Sequence, residues 1–231
     1  MGMTLLQLCQ DAIEGLDGID VPTTIFNNSD PTAITLKRMA MQVGRELARM
    51  NWQALLTATS FVTASGTSQY SKPADFARFA NRTFYNVSEE LELNGPLSSA
   101  TWAEITRGTT LTTVQYSFRV AGNYIELTPM PTSVQTIGYD YYSRYYCTSS
   151  GGTAQENWAA DSDLSRFPDD MVALGIRYRF QKAKGLPYAD DKADYLQAID
   201  NCLWDDTPKG LADVSGVPRR LPSNIPQSNW G

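Results

Sequence analysis

The sequence contains no histidine. That removes the Ser–His–Asp and Cys–His arrangements of nucleophilic catalysis, histidine general acid–base chemistry and the commonest metal ligand. Cysteine is scarce: Cys9, Cys147 and Cys202 lie far apart, are odd in number and form no Cys-x-x-Cys pair. No disulfide framework or zinc site is indicated, and buried, reduced thiols in a cytosolic setting are the expected state. No run of lysine and arginine occurs, and the net charge is −6. A chain that grips nucleic acid needs a basic face. An acidic one suits a channel along which DNA slides without sticking, because like charges repel. Residues 1–10 show no basic region followed by an apolar run, and no stretch approaches the roughly 18 apolar residues of a membrane span. Neither a signal peptide nor a membrane anchor is expected. Glycine-rich phosphate loops are also missing: Gly151–Gly152 and Gly15–Leu16–Asp17–Gly18 fit neither the P-loop nor the dinucleotide pattern.

What remains is a chain of 231 residues, enough for one good core or a core plus an appendage. Charged residues make up 19%, below the usual share of roughly 25%. Aromatics reach 11%, with 12 Tyr and 5 Trp. Few charges and many Tyr and Trp suit surface hidden against partners; an ordinary tyrosine-rich β core explains them equally well. Acidic pairs occur at Asp169–Asp170, Asp190–Asp191 and Asp205–Asp206. The first two fall at helix starts, where negative charge favours the helix dipole. The alternative is a glycosidase acid and nucleophile brought together by the fold. Asp161–Ser162–Asp163 is too short a fragment for a Ca²⁺ loop. Arg177, Arg179, Lys182 and Lys184 share one predicted helix and read as a solvated face.

The periodicities divide the chain. Leu5, Leu8, Cys9 and Ala12 predict a short amphipathic helix over Thr4–Glu14, stopped by Gly15 and Gly18. Asp30 and Pro31 are a strong start for a second helix. Ala33, Leu36, Ala40, Val43, Leu47 and Met50 then form one stripe over about 20 residues, roughly 30 Å, ended by Asn51 and Trp52. It is either a strut in an assembly or a core helix. From Thr59 the period falls to two. Phe61, Thr63, Gly66 and Gln69–Tyr70 predict a hairpin, and Phe79–Val87 a further strand. Ser98–Arg107 is predicted as a short helix with Trp102 and Ile105 inward. A second hairpin turns at Gly122–Asn123, and Val134–Tyr146 alternates as a last strand. After a Gly/Ser linker at 149–153, Pro168–Lys184 predicts a helix. It carries Met171, Leu174 and Tyr178 on one face, widened by Ile176 and Phe180, and is stopped by Gly185 and Pro187. Tyr188–Trp204 predicts its partner, with Ala189, Ala193, Leu196, Ile199 and Leu203 inward.

These elements predict an α+β fold. Residues 1–56 contribute the N-terminal helices of a helical bundle, and residues 57–148 an inserted antiparallel β lobe with one short helix. Residues 149–204 contribute a linker and the C-terminal helical hairpin that completes the bundle. Residues 205–231, rich in Pro and Gly and without periodicity, cannot build a core. They are either a disordered tail or an extended arm that orders on a neighbour. Val217, Leu221, Ile225 and Trp230, with Arg219 and Arg220 among them, are the candidate interface anchors; a solvated tail gains nothing from a terminal tryptophan.

A set of short stretches runs in order across residues 30–200. It comprises Asp30–Pro31–Thr32, Asn51–Trp52–Gln53–Ala54–Leu55, Tyr70 with Pro73–Ala74–Asp75–Phe76, and Gly95–Pro96–Leu97–Ser98 with Trp102. Phe118–Arg119 with Gly122–Asn123, Pro129–Met130–Pro131, Tyr139–Asp140–Tyr141, and Ala183–Lys184–Gly185–Leu186 with Tyr188–Ala189 complete it. Together they resemble the head-to-tail adaptor (connector) family of tailed bacteriophages, related to podovirus tail tubular protein A. Lys72 departs from the aliphatic residue such chains carry before the proline, and the segment after 205 lies outside the resemblance. The resemblance implies a structural protein of the virion neck, assembled in the host cytoplasm. It implies a homo-oligomeric ring, commonly of about twelve copies, bound below the portal protein and above a tail (nozzle or stopper) protein. Genome DNA would pass through it without specific binding, and no catalysis, cofactor, metal or membrane is implied. The competing expectations are another neck or tail-completion protein and a carboxylate-based cell-wall hydrolase.

Overall fold

A computed structural model describes residues 2–107 and 115–206. Within them the chain is α+β, with five helices and strands that pair antiparallel throughout. Helix α1 (Leu5–Ile13) begins at Thr4. The Thr4 hydroxyl accepts from the Gln7 amide, and the Gln7 carboxamide oxygen accepts from the Thr4 amide, so two orphan donors are satisfied reciprocally. Helix α2 (Pro31–Leu47) begins as predicted: Asp30 accepts from the Thr32 amide, and Pro31 occupies the first turn. Its stripe of Ala33, Leu36, Ala40, Val43 and Leu47 is buried end to end. The helix stops three residues earlier than Met50. Side chains there take its last carbonyls: the Trp52 indole donates to Leu47 O at 2.8 Å, and the Arg78 guanidinium donates to Ala48 O at 3.1 Å and to Met50 O.

A single 3-10 turn, Gln53–Leu55, leads into the β region. One sheet is built on β8 (Thr136–Ser143). Strand β1 (Leu56–Val62) pairs with it along its length, from Leu56 opposite Tyr142 to Val62 opposite Thr136. On the other edge β8 is paired by β3 (Phe76–Phe79) and then by β4 (Tyr85–Asn86), which carries β5 (Leu91–Glu92). A second sheet has the order β2-β7-β6, from β2 (Gln69–Ser71), β6 (Ser117–Ala121) and β7 (Tyr124–Thr128). The β6–β7 hairpin turns at Gly122–Asn123 as predicted, with Gly122 at φ +56, where a side chain is disfavoured. The hairpin expected from Thr59 to Tyr70 does not form. β1 pairs with β8 and β2 with β7, because alternation tells which face of a strand is apolar, not which strand lies beside it. The expected strand over Phe79–Val87 is broken in two. Thr83 Oγ1 donates to Ala80 O at 2.9 Å and accepts from the Asp140 amide at 3.0 Å, inserting a side chain where the ladder would run.

Between the two sheets lies an aromatic core. Phe84 stacks on Phe118 at 3.9 Å and on Tyr139 at 4.6 Å, and Phe79 meets Tyr139 edge-on at 5.5 Å. The inward residues of β8, Ile137, Tyr139 and Tyr141, are those predicted from alternation. The Tyr141 hydroxyl donates to Asp75 at 2.8 Å. Helix α3 (Ser99–Arg107) touches this region only around Trp102, with the Arg119 guanidinium over the indole at 4.5 Å. Ile105, expected inward, is exposed, so only the Trp102 side of this helix is covered among the described residues.

The chain then returns to the helical core through a small sheet in which β9 (Cys147–Thr148) is flanked by β10 (Ala154–Gln155) and β11 (Leu164–Ser165). The stretch 149–153 forms the turn between β9 and β10. Helix α4 (Asp169–Lys184) is the centre of the helical core, meeting α1, α2 and α5 (Ala189–Asp206). Gly185, at φ +73, ends α4, with Leu186 N donating to Gln181 O at 2.9 Å. The inward face of α5 matches the predicted one only in part: Ile199 is buried and Leu203 packs on the core. Ala189, Ala193 and Leu196 are exposed, while Tyr195, Ala198, Ile199 and Cys202 turn toward α4. The Tyr195 ring decides the rotation: it lies against Gly175 of α4, where a β-carbon would come within 2.7 Å of it. Burying that ring removes more apolar area than burying two alanines and Leu196 at a helix edge.

Two contacts fix the helical core, and each yields a test. The Tyr146 ring sits where a β-carbon on Gly44 of α2 would lie, at 2.3 Å. Gly44→Ala should therefore cost about 1–3 kcal/mol in urea unfolding through overpacking, although alanine is the better helix former by about 0.5–1 kcal/mol. A stabilised variant would contradict the packing. Asp163 is buried, and its carboxylate accepts from the amides of Ala159 and Ala160. Asp163→Ala should lower stability by about 1–3 kcal/mol, since it leaves those amides unpaired; an unchanged unfolding midpoint would show that they find other acceptors.

Candidate interaction surfaces

One member of each acidic pair takes a structural role. Asp169 accepts from the Met3 amide at 2.8 Å, Asp191 pairs with Arg177 at 3.0 Å, and Asp206 accepts from the Gln53 amide. Asp161, the start of the fragment weighed as a Ca²⁺ loop, accepts from the Ile25 and Phe26 amides and so ties the connection between α1 and α2 to the segment before β11. No group of three or more potential metal-ligating side chains occurs among the described residues. Burial, and secondarily Asp161, pushes the Cys9 thiol up to about 12; burial, and secondarily Asp163, does the same for Cys147. Both stay protonated at neutral pH and are poor nucleophiles. No helix among the described residues is long and apolar enough to cross a membrane.

Of the basic residues of α4, Lys182 and Lys184 are exposed as expected, but Arg177 and Arg179 are not part of a solvated face. Arg179 forms an ion pair with Glu46 of α2 and lies over Tyr178, and Arg177 is the partner of Asp191 on α5. They bind helix to helix, and burial lowers the Arg179 pKa. The concentrated positive surface lies elsewhere. A groove of about 470 Å³ runs where the end of α2 meets β3, the β8–β9 connection and the residue after β10, lined by Arg45, Arg49, Arg78, Arg144, Tyr146 and Glu156. Arg45 donates to Asn157 Oδ1 at 2.9 Å, and Arg144 stands 3.5 Å from Glu156. Arg49 has no ion pair or hydrogen bond from its side chain to any described residue. Sequence reading misses this cluster because only Arg45 and Arg49 are near in the chain. Their i, i+4 spacing on the polar face of α2 is the one available signal.

Two groups stand among the exposed apolar residues. On the sheet, Val62 and Val87 flank Thr136 on the outer face, 58% and 55% exposed. On α5, Leu196 and Trp204 face outward, Trp204 at 75% exposure. Trp52 and Trp102, expected in the core, are buried there. Where α5 ends, a second groove of about 610 Å³ is lined by Trp52, Arg166, Phe167, Cys202 and Asp206. The chain continues from this point into residues 207–231, and α5 itself extends two residues into the segment expected to be an arm. The anchors Val217, Arg219, Arg220, Leu221, Ile225 and Trp230 lie outside the described residues.

No curated protein matches the chain. A family model described as SU10 adaptor protein matches residues 3–221, taking in both the helical core and the β region. A match over nearly the whole length shows that this chain belongs to the SU10 adaptor protein family of bacteriophage adaptors.

Proposed function

We propose that this chain is a structural head-to-tail adaptor of a tailed phage. It forms a ring below the portal protein, joins capsid to tail, and lets DNA pass during ejection. The family match supports the adaptor role, and the observation that carries the ring is the outer face of α5. An indole left 75% exposed on a regular helix is apolar area that a neighbouring subunit would remove from water. Helices α1, α2, α4 and α5 form the bundle in this reading. The β lobe points outward or toward the tail protein, and the segment after Asp206 reaches the portal through Leu221, Ile225 and Trp230. The relation to podovirus tail tubular protein A belongs to the same proposal, as does a copy number near twelve. The place of the protein is the virion neck, reached by assembly in the host cytoplasm, and its work makes no covalent bond and needs no cofactor. Each subunit contributes a modest contact, and ring closure makes the contacts collective.

Two outcomes test this. Particles made without the chain should be filled heads lacking tails; complete, infectious particles contradict the proposal. A chain ending at Asp206 should keep its circular dichroism and melting temperature, yet bind the portal about tenfold or more weakly, because its apolar anchors are gone. Portal binding at full strength would remove the arm from the account.

A further inference from the structure

We infer that the outer face of α5 docks into the arginine groove of a second copy of this chain. The inference rests on the ring reading and names the contact within it. Charge is the first argument. In a chain of net charge −6, four arginines face one groove with a single carboxylate, Glu156, at its wall. Helix α5 holds the opposite balance: Lys192 is its only basic residue among six aspartates. Asp191 and Asp206 are committed inside the subunit. Asp190, Asp194 and Asp200 are exposed, and their carboxylates have no partner among the described residues.

Shape and apolar content agree. Leu196, Asp200 and Trp204 follow one another at i, i+4 and i+8, so a single line along α5 presents leucine, carboxylate and indole. Ala48, Ala77 and the Tyr146 ring give the groove apolar surface beside its guanidinium groups. An indole meeting such a surface loses water, and a guanidinium over its face adds a cation–π attraction. The two surfaces share no residue: α5 packs on α4, whereas the groove is formed by the end of α2, β3, the β8–β9 connection and Glu156. One copy therefore offers helix and groove to two different neighbours, a heterologous contact that propagates and closes as a ring. Duplex DNA is the less suited occupant. Glu156 at the groove wall repels a polyphosphate, and the net charge of −6 disfavours a polyanion over the whole chain.

Charge reversal tests this in the full chain. Self-association is read by sedimentation velocity on the protein alone, and by copies bound on the portal ring. Arg45→Glu/Arg49→Glu and Asp194→Lys/Asp200→Lys should each weaken association at least tenfold. Mixing the two variants, or combining all four changes in one chain, should restore it; restoration also shows that both variants fold. Trp204→Ser should weaken association with no change in melting temperature. Variants that associate as strongly as the parent overturn this contact and leave the ring reading standing. A parent chain that stays monomeric alone and on the portal overturns both. Duplex DNA binding that is lost in Arg45→Glu/Arg49→Glu, with association unchanged, gives the groove to nucleic acid and overturns the inference.

Discussion

The antiparallel ladder between β1 and β8 holds the two halves of this fold together. β1 leaves the helical core directly after α2, and β8 returns beside it some 70 residues later, from Leu56 opposite Tyr142 to Val62 opposite Thr136. The return delivers Tyr146 to Gly44 and then the chain to α4, so helices distant in sequence share one core. Closing a loop of that length costs only slightly more than closing a short one, because the cost grows with the logarithm of loop length. An insertion as large as the β region is therefore compatible with a single helical core. Arg78 reinforces the same joint: it arises on β3 and donates to the carbonyls that end α2. Helical core and β region thus share polar contacts as well as a covalent connection.

Much of this architecture is legible in the sequence where one residue type settles a local question. Asp30 and Pro31 fix the start of α2, Gly122–Asn123 the β6–β7 turn, and Gly185 the end of α4. The buried stripe of α2 and the inward residues of β8 follow directly from periods of 3.6 and 2. Reading fails where partners are chosen at a distance. Nothing around Gly66 says that β1 and β2 belong to different sheets. On α5 two apolar faces compete, and the winner depends on Gly175, which leaves room on a different helix for the Tyr195 ring.

The same distinction governs the functional surfaces. The absence of histidine removes histidine-dependent catalysis, and the structure accounts for one member of each acidic pair as a backbone or ion-pair partner. The arginine groove is invisible in the sequence because its members come from α2, β3 and the turn after β8, about 100 residues apart at the extremes. The outward face of α5 is hidden for the opposite reason: its stripe is plain in the sequence, but an apolar stripe says only that a face is covered, not whether the cover is the same chain. On α5 the stripe read as inward splits: Ile199 and Leu203 meet the core, whereas Ala189, Ala193 and Leu196 face solvent.

The account holds that this protein acts by joining surface to surface in an oligomer. Electron microscopy of the purified full-length chain bound to its portal tests that most directly. The account predicts a closed ring of copies coaxial with the portal, each copy meeting its two neighbours through different faces. Isolated copies scattered on the portal without mutual contact, or no bound density at all, would contradict it.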